Sequence, residues 1–342
     1  MKICAIYVSA GHNFFGRHGK PAGEYVTQTV RDVECIAGRG LRGDRFWDYK
    51  KDYAGQVTFF DEAVHRELLR ELAPGACSPA AYRRNVLTRG VDLMALVGQE
   101  FEVQGVRFLG IGESKPCHWM EQAVAVGAEK FLRGRGGLRA KILSDGWLRV
   151  NTATEAGVLL AGGRSRRMGQ DKAGLEWRGQ TLGSHQAATL SATGAWPLLI
   201  SSRAEQAWTP AGFQRVEDQR ADGGVLEALL DVWAVTNADV LVVLAVDLPL
   251  VKAELLERLA GRARDEAVSV VPWRDAHFEP LAAAWHRSAI PALTQAQIGN
   301  LSLQAVTAEL QQQGLLRAFQ LSPSEATQLT NVNSPDDLVR LG

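Results

Sequence analysis

The chain has 342 residues, a formal net charge of zero and 46% apolar residues, a composition that fits a globular protein with two domains. No run of eighteen apolar residues is present, and the N-terminal segment lacks a signal-peptide profile, so the sequence predicts no membrane association and no secretion. The four cysteines are widely spaced and show no metal-ligand pattern, so we expect a reducing, cytoplasmic setting.

The balanced charge hides a difference between the two halves of the chain. Residues 1–152 hold 22 basic and 17 acidic residues, whereas residues 153–342 hold 16 basic and 21 acidic ones. Neither half is basic enough to indicate a nucleic-acid partner. The stretch 151–157 is small and polar and has no apolar period, so we predict the domain boundary there, with domains at 1–152 and 153–342.

The first half predicts a β-rich, barrel-like domain with a few helices. Short β-forming runs alternate with turns, and the segment 61–72 carries its apolar residues on one helical face. Cys117 is its chemical candidate, because Lys115 and His118 beside it would favour the thiolate; a buried packing cysteine is the alternative. A basic stretch could bind a phosphate or form a solvated loop: Arg133, Arg135, Arg139 and Lys141.

The second half changes to a strand–helix–strand rhythm, which predicts a doubly wound, Rossmann-like α/β sheet. We expect helices at 224–236 and 252–264. Ligands collect at the carboxyl ends of the strands in such sheets, so we expect the functional site there. Buried parallel strands are predicted at four apolar runs: 157–161, 196–201, 238–246 and 267–271.

The segment LAGGRSRRMGQDK, residues 160–172, follows the first of these strands and carries the strongest signal. Adjacent glycines let the backbone approach a phosphate, and the arginines with Lys172 place positive charge around it. The spacing fits neither a Walker A loop, which needs Gly-Lys-Ser/Thr, nor the dinucleotide pattern, because Gly162 and Gly163 are adjacent. A surface turn with solvated arginines is the alternative. Lys172 is one of only two lysines after residue 152.

Two acidic residues of the second half are candidate ligand contacts. Asp247 follows seven apolar residues, and its hard oxygen atoms suit Mg²⁺ bound to nucleotide phosphates. Asp218 precedes a glycine pair that opens a helix, and its carboxylate could accept hydrogen bonds from guanine or from a ribose hydroxyl. The alternatives are a helix cap for Asp247 and an exposed turn for Asp218.

Two later segments carry polar residues at strand ends. Glu279 precedes an apolar strand in HFEPLAAAW, residues 277–285. Asn331 and Asn333 alternate in LTNVNSPDDL, residues 329–338. The residues that follow, from Ser334 onward, predict a helix start with an N-cap and an N1 proline, which is a sufficient structural explanation for 334–337.

The form L-A-G-G-x-S-x-R-M-G-x-D-K resembles the signature of the molybdenum cofactor guanylyltransferases at every fixed position. The resemblance implies transfer of GMP from GTP to Mo-molybdopterin with release of pyrophosphate, and Mg²⁺ held by Asp247. It implies catalytic roles for Lys172, Arg167 and Asp247, and acceptor contacts for Glu279, Asn331 and Asn333. The nucleotide site that it implies is Leu160, Ala161, Gly162, Gly163, Arg164, Ser165, Lys172, Asp218 and Asp247.

The chain departs from that family at two places. The family continues G-P-L-A-G where this chain has GVLEA at 224–228, which affects local helix packing or acceptor contact. An asparagine expected after the second strand is replaced by Ser201 or Ser202, which affects the base contacts.

The first half resembles a MOSC domain through GLRGDRFW, residues 40–47, and through residues 82–117. This resemblance implies that the first domain binds or sulfurates the cofactor through Cys117. The alternatives for the whole protein are a cytidylyltransferase that uses CTP, whose family more often has L-A-A-G, a non-catalytic cofactor carrier, and a sugar-phosphate nucleotidyltransferase. Other cofactor-biosynthesis proteins and apo-molybdoenzymes are the expected protein partners.

Overall fold

The computed structural model describes residues 1–12, 23–162, 171–206, 208–218, 224–332 and 334–341. The chain forms two compact units, Met1–Thr152 and Ala153–Gly342. No helix in the described ranges is long and apolar enough to cross a membrane. All four cysteines are free thiols.

The first unit consists mainly of short strands. Its helices are α1 (Glu62–Leu72), α2 (Trp119–Ala123) and α3 (Ala128–Phe131). Its strands are β1 (Lys2–Val8), β2 (Gln28–Val30), β3 (Asp32–Ile36), β4 (Gly40–Leu41), β5 (Val57–Asp61), β6 (Val86–Arg89), β7 (Glu100–Val103), β8 (Val106–Glu113), β9 (Leu138–Ile142) and β10 (Gly146–Arg149).

The strands of the first unit pair into two sheets, in the orders β2-β1-β6-β5-β9-β8-β7 and β10-β3-β4. The β-rich prediction is confirmed, and so is the helix at 61–72, since α1 begins after Asp61, whose carboxylate accepts a hydrogen bond from the Ala63 amide. The predicted barrel is not found. Both pairing paths end at edge strands within the described residues, so no closed barrel forms there.

The first unit has two apolar clusters, and strand β5 contributes side chains to both of them. Phe59 and Phe60 are successive residues and so point to opposite faces of the sheet. Phe59 belongs to the larger apolar cluster, together with Phe108 and Leu138. Phe60 belongs to a second cluster, where it packs with Tyr82 and with α1 residues.

The second unit alternates strands and helices. Its helices are α4 (Leu182–Ala192), α5 (Gly224–Val235), α6 (Ala253–Glu266), α7 (Ile290–Ile298), α8 (Leu303–Gln312), α9 (Pro323–Ala326) and α10 (Pro335–Leu341). Its strands are β11 (Glu155–Leu160), β12 (Glu176–Trp177), β13 (Gln180–Thr181), β14 (Leu198–Ser202), β15 (Gln214–Glu217), β16 (Val240–Ala245), β17 (Ser269–Arg274), β18 (His277–Phe278), β19 (Ala282–His286) and β20 (Leu316–Gln320).

The large sheet of the second unit has the order β15-β14-β11-β16-β19-β17-β18, with β20 paired to β17. Strands β14, β11 and β16 are parallel and buried along their whole length, as predicted for the runs 196–201, 157–161 and 238–246, and β15 extends this parallel set. The prediction for the run 267–271 is only partly right, because this run forms β17, which is parallel to β20 but antiparallel to β18 and β19. Strand β19 is antiparallel to its neighbours β16 and β17, an insertion that the sequence analysis did not predict.

The order of the strands reverses beside β11. From β11 the chain passes to β14 and β15 on one side and then returns to β16 on the other side. Because crossovers between parallel strands are right-handed, these two connections place α4 and α5 on opposite faces of the sheet. Helix α4 packs with α6, and α5 packs with α7. The crevice between the carboxyl ends of β11 and β16 is therefore the place where such a sheet binds its ligand.

Candidate active site at the carboxyl edge of the second sheet

The side chain of Lys172 meets the carboxylate of Asp247 at this edge. Lys172 Nζ lies 3.0 Å from Asp247 Oδ2 and donates a second hydrogen bond, of 2.9 Å, to the carbonyl oxygen of Val332. The Val332 amide donates in turn to the Asp247 carbonyl oxygen at 2.8 Å. An apolar cluster that contains Leu175 and Val332 packs the segment after Lys172 against the C-terminal segment. A lysine and an acid that are 75 positions apart are thereby joined beside the switch point.

The carboxylate of Asp218 is held beside the start of the glycine loop, which we define as residues 162–170. Ser201 Oγ donates a 2.7 Å hydrogen bond to Asp218 Oδ1, and the Asp218 amide donates to the carbonyl oxygen of Ser202 at 3.1 Å. A Cβ atom added to Gly162 would stand 2.4 Å from Asp218 Oδ2. This position therefore needs a glycine so that the carboxylate can approach closely. The reason is steric and not conformational, because the φ of Gly162 lies outside the left-handed region.

Asp247 fits a divalent cation. Its Oδ1 atom is buried and has no hydrogen-bond partner among the described residues. A buried carboxylate oxygen without a donor is a suitable hard ligand for Mg²⁺. Within the same ranges no three His, Cys, Asp or Glu side chains group into a metal cage. An ion at Asp247 would therefore take most of its ligands from water and substrate phosphates, as Mg²⁺ does in nucleotide sites.

Glu279 lies beside an arginine that also holds the segment before Asn331. Arg274 Nη2 lies 2.9 Å from Glu279 Oε1, and Arg274 Nη1 donates to the carbonyl oxygens of Ala326 and Leu329 at 3.0 and 3.1 Å. Burial raises the pKa of Glu279, while the charge of Arg274 lowers it. Asn331 is exposed. Arg274 thus connects the two predicted acceptor segments, a role that the sequence analysis did not predict.

The backbone of Leu160 and Ala161 is engaged in the sheet and around it. The Leu160 carbonyl oxygen accepts from the Val246 amide at 3.2 Å, and the Ala161 amide donates to the Ser201 carbonyl oxygen at 2.9 Å. These bonds fix the point at which the glycine loop leaves β11. Five predicted site residues lie outside the described residues: Gly163, Arg164, Ser165, Arg167 and Asn333.

In the first unit, Cys117 is exposed and lies within electrostatic range of Arg83 and Arg84. Arg84 is its best-anchored neighbour, because its guanidinium donates to the carbonyl oxygens of Gly136 and Ser114 at 2.8 and 2.6 Å. Burial lowers the pKa of Arg84 to about 10; the charge of Cys117 opposes this shift, while nearby arginines add to it, among them Arg139.

In the predicted basic stretch of the first unit, three of the four side chains lie within ion-pair distance of an acidic residue. Arg135 lies 2.8 Å from Glu67, Lys141 lies 2.5 Å from Asp52, and Arg133 lies 3.9 Å from Glu129. Only Arg139, of the four predicted residues, is among the charges that act on Arg84.

Comparisons with known proteins match the second half of the chain. Residues 157–314 match the family model of the MobA-like NTP transferase domain. The "Probable molybdenum cofactor guanylyltransferase" of Opitutus terrae is 37% identical over 192 residues, which are 55% of this chain and 95% of that protein. The molybdenum cofactor guanylyltransferase of Xanthomonas euvesicatoria is 33% identical over 186 residues, 54% of this chain and 93% of that protein.

A solved structure, molybdopterin-guanine dinucleotide biosynthesis protein A from Archaeoglobus fulgidus, is 24% identical, covers 54% of this chain and 95% of its own, and has a TM-score of 0.44.

The mixed α/β unit, with a lysine and acidic residues at its switch point and a match to an NTP transferase domain, defines a nucleotidyltransferase. The match to relatives covers about half of the chain. Through that half, the protein belongs to the family of the molybdenum cofactor guanylyltransferases.

Proposed function

We propose that this protein transfers GMP from GTP to Mo-molybdopterin in the cytoplasm and releases pyrophosphate. One observation carries the proposal: Lys172 Nζ lies 3.0 Å from Asp247 at the switch point of the sheet. A cation and a potential metal ligand are thus adjacent where a nucleotide triphosphate would enter. The names of the relatives favour guanine as the base and molybdopterin as the acceptor.

The proposed nucleotide site combines the glycine loop with Asp218. The loop between Gly162 and Lys172 would hold the triphosphate through backbone amides and positive side chains. Asp218 would accept hydrogen bonds from the guanine ring or from a ribose hydroxyl, because Ser201 occupies one of its oxygens and leaves the other facing Gly162.

Asp247 is the proposed holder of Mg²⁺ through its buried Oδ1 atom. The ion, when bound, neutralises charge on the triphosphate and on the leaving pyrophosphate. Lys172 then has two tasks of its own. Its ammonium group neutralises negative charge on the transferring phosphoryl group, and its contact with Asp247 keeps that carboxylate in place.

The transfer needs no nucleophile from the protein. The terminal phosphate oxygen of molybdopterin is already anionic, so it attacks the α-phosphorus of GTP as the bond to pyrophosphate breaks. The residues of this chain contribute position and charge neutralisation, with Arg167 as a second proposed cation. Glu279, Asn331 and Asn333 are the proposed acceptor contacts.

The test is pyrophosphate release by the purified protein with Mo-molybdopterin and either GTP or CTP, combined with mass spectrometry of the product. We expect release with GTP and a product heavier by one GMP residue. Preference for CTP would instead support the cytidylyltransferase alternative. Cofactor binding without any pyrophosphate release would support a non-catalytic carrier.

For the first unit we propose a MOSC-like domain that binds the anionic cofactor beside Cys117. The supporting observation is an exposed thiol among arginines, of which Arg84 is fixed by backbone carbonyl groups. Arginine side chains beside the thiol would supply the positive charge that favours binding of a phosphate group. We expect Cys117→Ser to weaken cofactor binding or to abolish sulfur transfer. If the variant retains both, Cys117 has no such role.

A further inference from the structure

The side-chain amide of Gln206 joins the two ends of the glycine loop. Its Nε2 atom donates to the Ala161 carbonyl oxygen at 2.9 Å and to Asp171 Oδ2 at 2.8 Å. Its Oε1 atom accepts from the Arg203 amide at 3.0 Å. Ala161 precedes the loop and Asp171 follows it, so one side chain bridges the residues between which the loop extends.

This amide is held rigidly by its own turn. The Gln206 amide nitrogen donates to the Arg203 carbonyl oxygen at 3.0 Å, and the guanidinium of Arg215, on β15, donates to the carbonyl oxygens of Arg203 and Ala204 at 2.6 and 3.0 Å. Gln206 is only 8% exposed. Both hydrogens of its NH₂ group are engaged, so the amide has one orientation. The hydrogen bonds from Arg215 connect the turn that carries Gln206 to strand β15.

The bridge acts on Lys172 through Asp171. The second oxygen of Asp171, Oδ1, accepts from the Ala173 amide at 3.1 Å and so caps the turn Lys172–Gly174. Lys172 lies between the capping residue and the capped amide, and its Nζ atom reaches Asp247 at 3.0 Å. Any movement of Asp171 therefore shifts the backbone from which the Lys172 side chain extends.

We propose that Gln206 is a positioning residue for nucleotidyl transfer: it ties Ala161 to Asp171 and so holds Lys172 in the position that the reaction needs. Gln206 touches no reacting atom and acts through Asp171. The inference rests on the proposed function, because it takes Lys172 as the cation of the transfer. It adds a residue that lies outside the 160–172 segment and outside the strand-end acids.

The first experiment compares Gln206→Leu with wild type by pyrophosphate release. Loss of hydrogen bonds to a carbonyl and to a charged carboxylate should lower kcat/KM for GTP about 10- to 100-fold. Gln313→Leu is the matched control. Gln313 caps the C-terminal end of α8, and its exposed side-chain amide donates to the carboxylate of Glu309, on the same helix, at 2.9 Å. The control should keep wild-type constants, and equal constants for Gln206→Leu would overturn the proposal.

A second variant separates positioning from a general loss of structure. Gln206→Glu places a carboxylate against Asp171, and this repulsion should raise the pKa of the new acid. Its activity relative to wild type should then rise as the pH falls from 8 to 5.5, because the protonated acid can donate again. The ratio for Gln206→Leu should stay flat. In the double variant Gln206→Glu with Asp171→Asn, the amide at position 171 can donate to the carboxylate at position 206, which reverses the wild-type hydrogen bond. The double variant should therefore be at least about 5-fold more active than Gln206→Glu alone.

The outcome for Gln206 can be distinguished from the outcome for the proposed function. If wild type uses CTP, the guanine assignment fails, and the same ratios measured with CTP still decide the role of Gln206. If wild type releases pyrophosphate from neither nucleotide, the proposed function fails. Hydrogen exchange at the Ala173 amide then decides the bridge: at least about 10-fold faster exchange in Gln206→Leu supports it, and equal exchange overturns it.

Discussion

Gly162→Ala tests the arrangement of the nucleotide site most directly. The new methyl group would stand 2.4 Å from Asp218 Oδ2, whereas ordinary contact begins at 3.4 Å, so the carboxylate must move by about 1 Å. That movement breaks the 2.7 Å hydrogen bond from Ser201. A hydrogen bond to a charged group contributes about 1.5 to 3 kcal/mol, so kcat/KM for GTP should fall about 10- to 150-fold.

The assay measures kcat/KM for GTP and for CTP with Mo-molybdopterin. Gly162→Ala converts the loop to the L-A-A-G form, so we expect the loss to be larger for GTP than for CTP. Gly174→Ala is the matched control, because a Cβ atom there meets nothing within 4 Å. Constants for Gly162→Ala within two-fold of wild type for both nucleotides would show that nucleotide transfer does not need the Asp218 carboxylate in its present position.

Three further outcomes are expected. Lys172→Ala should abolish turnover while the protein stays folded, whereas Lys252→Ala, at the other lysine of this unit, should be active; turnover by the Lys172 variant would contradict the proposed role. Asp247→Asn should raise the Mg²⁺ concentration needed for half-maximal activity at least about 10-fold, since a charged ligand is lost, and an unchanged titration would exclude Asp247 as the ligand. Burial lowers the pKa of His65 to about 3, so the unfolded chain binds the proton first. The contribution of neutral His65 to the free energy of unfolding is therefore fully present above pH 6.5. It declines as the pH falls towards 3, by up to about 1.4 kcal/mol per pH unit. His65→Gln, which keeps a hydrogen-bonding group near Tyr82, should flatten the dependence of unfolding free energy on pH; an unchanged slope would contradict this.

Local patterns of the sequence determined much of the second unit. The apolar runs before residues 161 and 247 predicted β11 and β16, because fully buried parallel strands need no polar alternation. Ser334 and Pro335 predicted the start of α10, since caps and N1 prolines act within one turn of chain. The 160–172 signature indicated the chemical class, because its glycines and cations lie in one continuous segment.

Contacts between residues that are far apart in the chain depend on the folded arrangement of the strands. Ser201 orients Asp218, Val332 accepts from Lys172, and Gln206 joins Ala161 to Asp171. None of these pairs has a sequence signature, because each depends on strand register and on which strand ends lie side by side. The antiparallel insertion of β19 is of the same kind, since strand direction follows from the path of the chain between strands.

At Gly162, the loop sequence and the tertiary structure each explain part of the arrangement. From the sequence, we predicted that this glycine lets the backbone approach a phosphate. The structure adds a second reason for a glycine, because the Asp218 carboxylate leaves no room for a Cβ atom. A loop sequence can determine what the backbone is able to approach, because that depends on its own side chains. What lies opposite is determined by the fold, because Asp218 reaches Gly162 only after β15, β14 and β11 have paired in order.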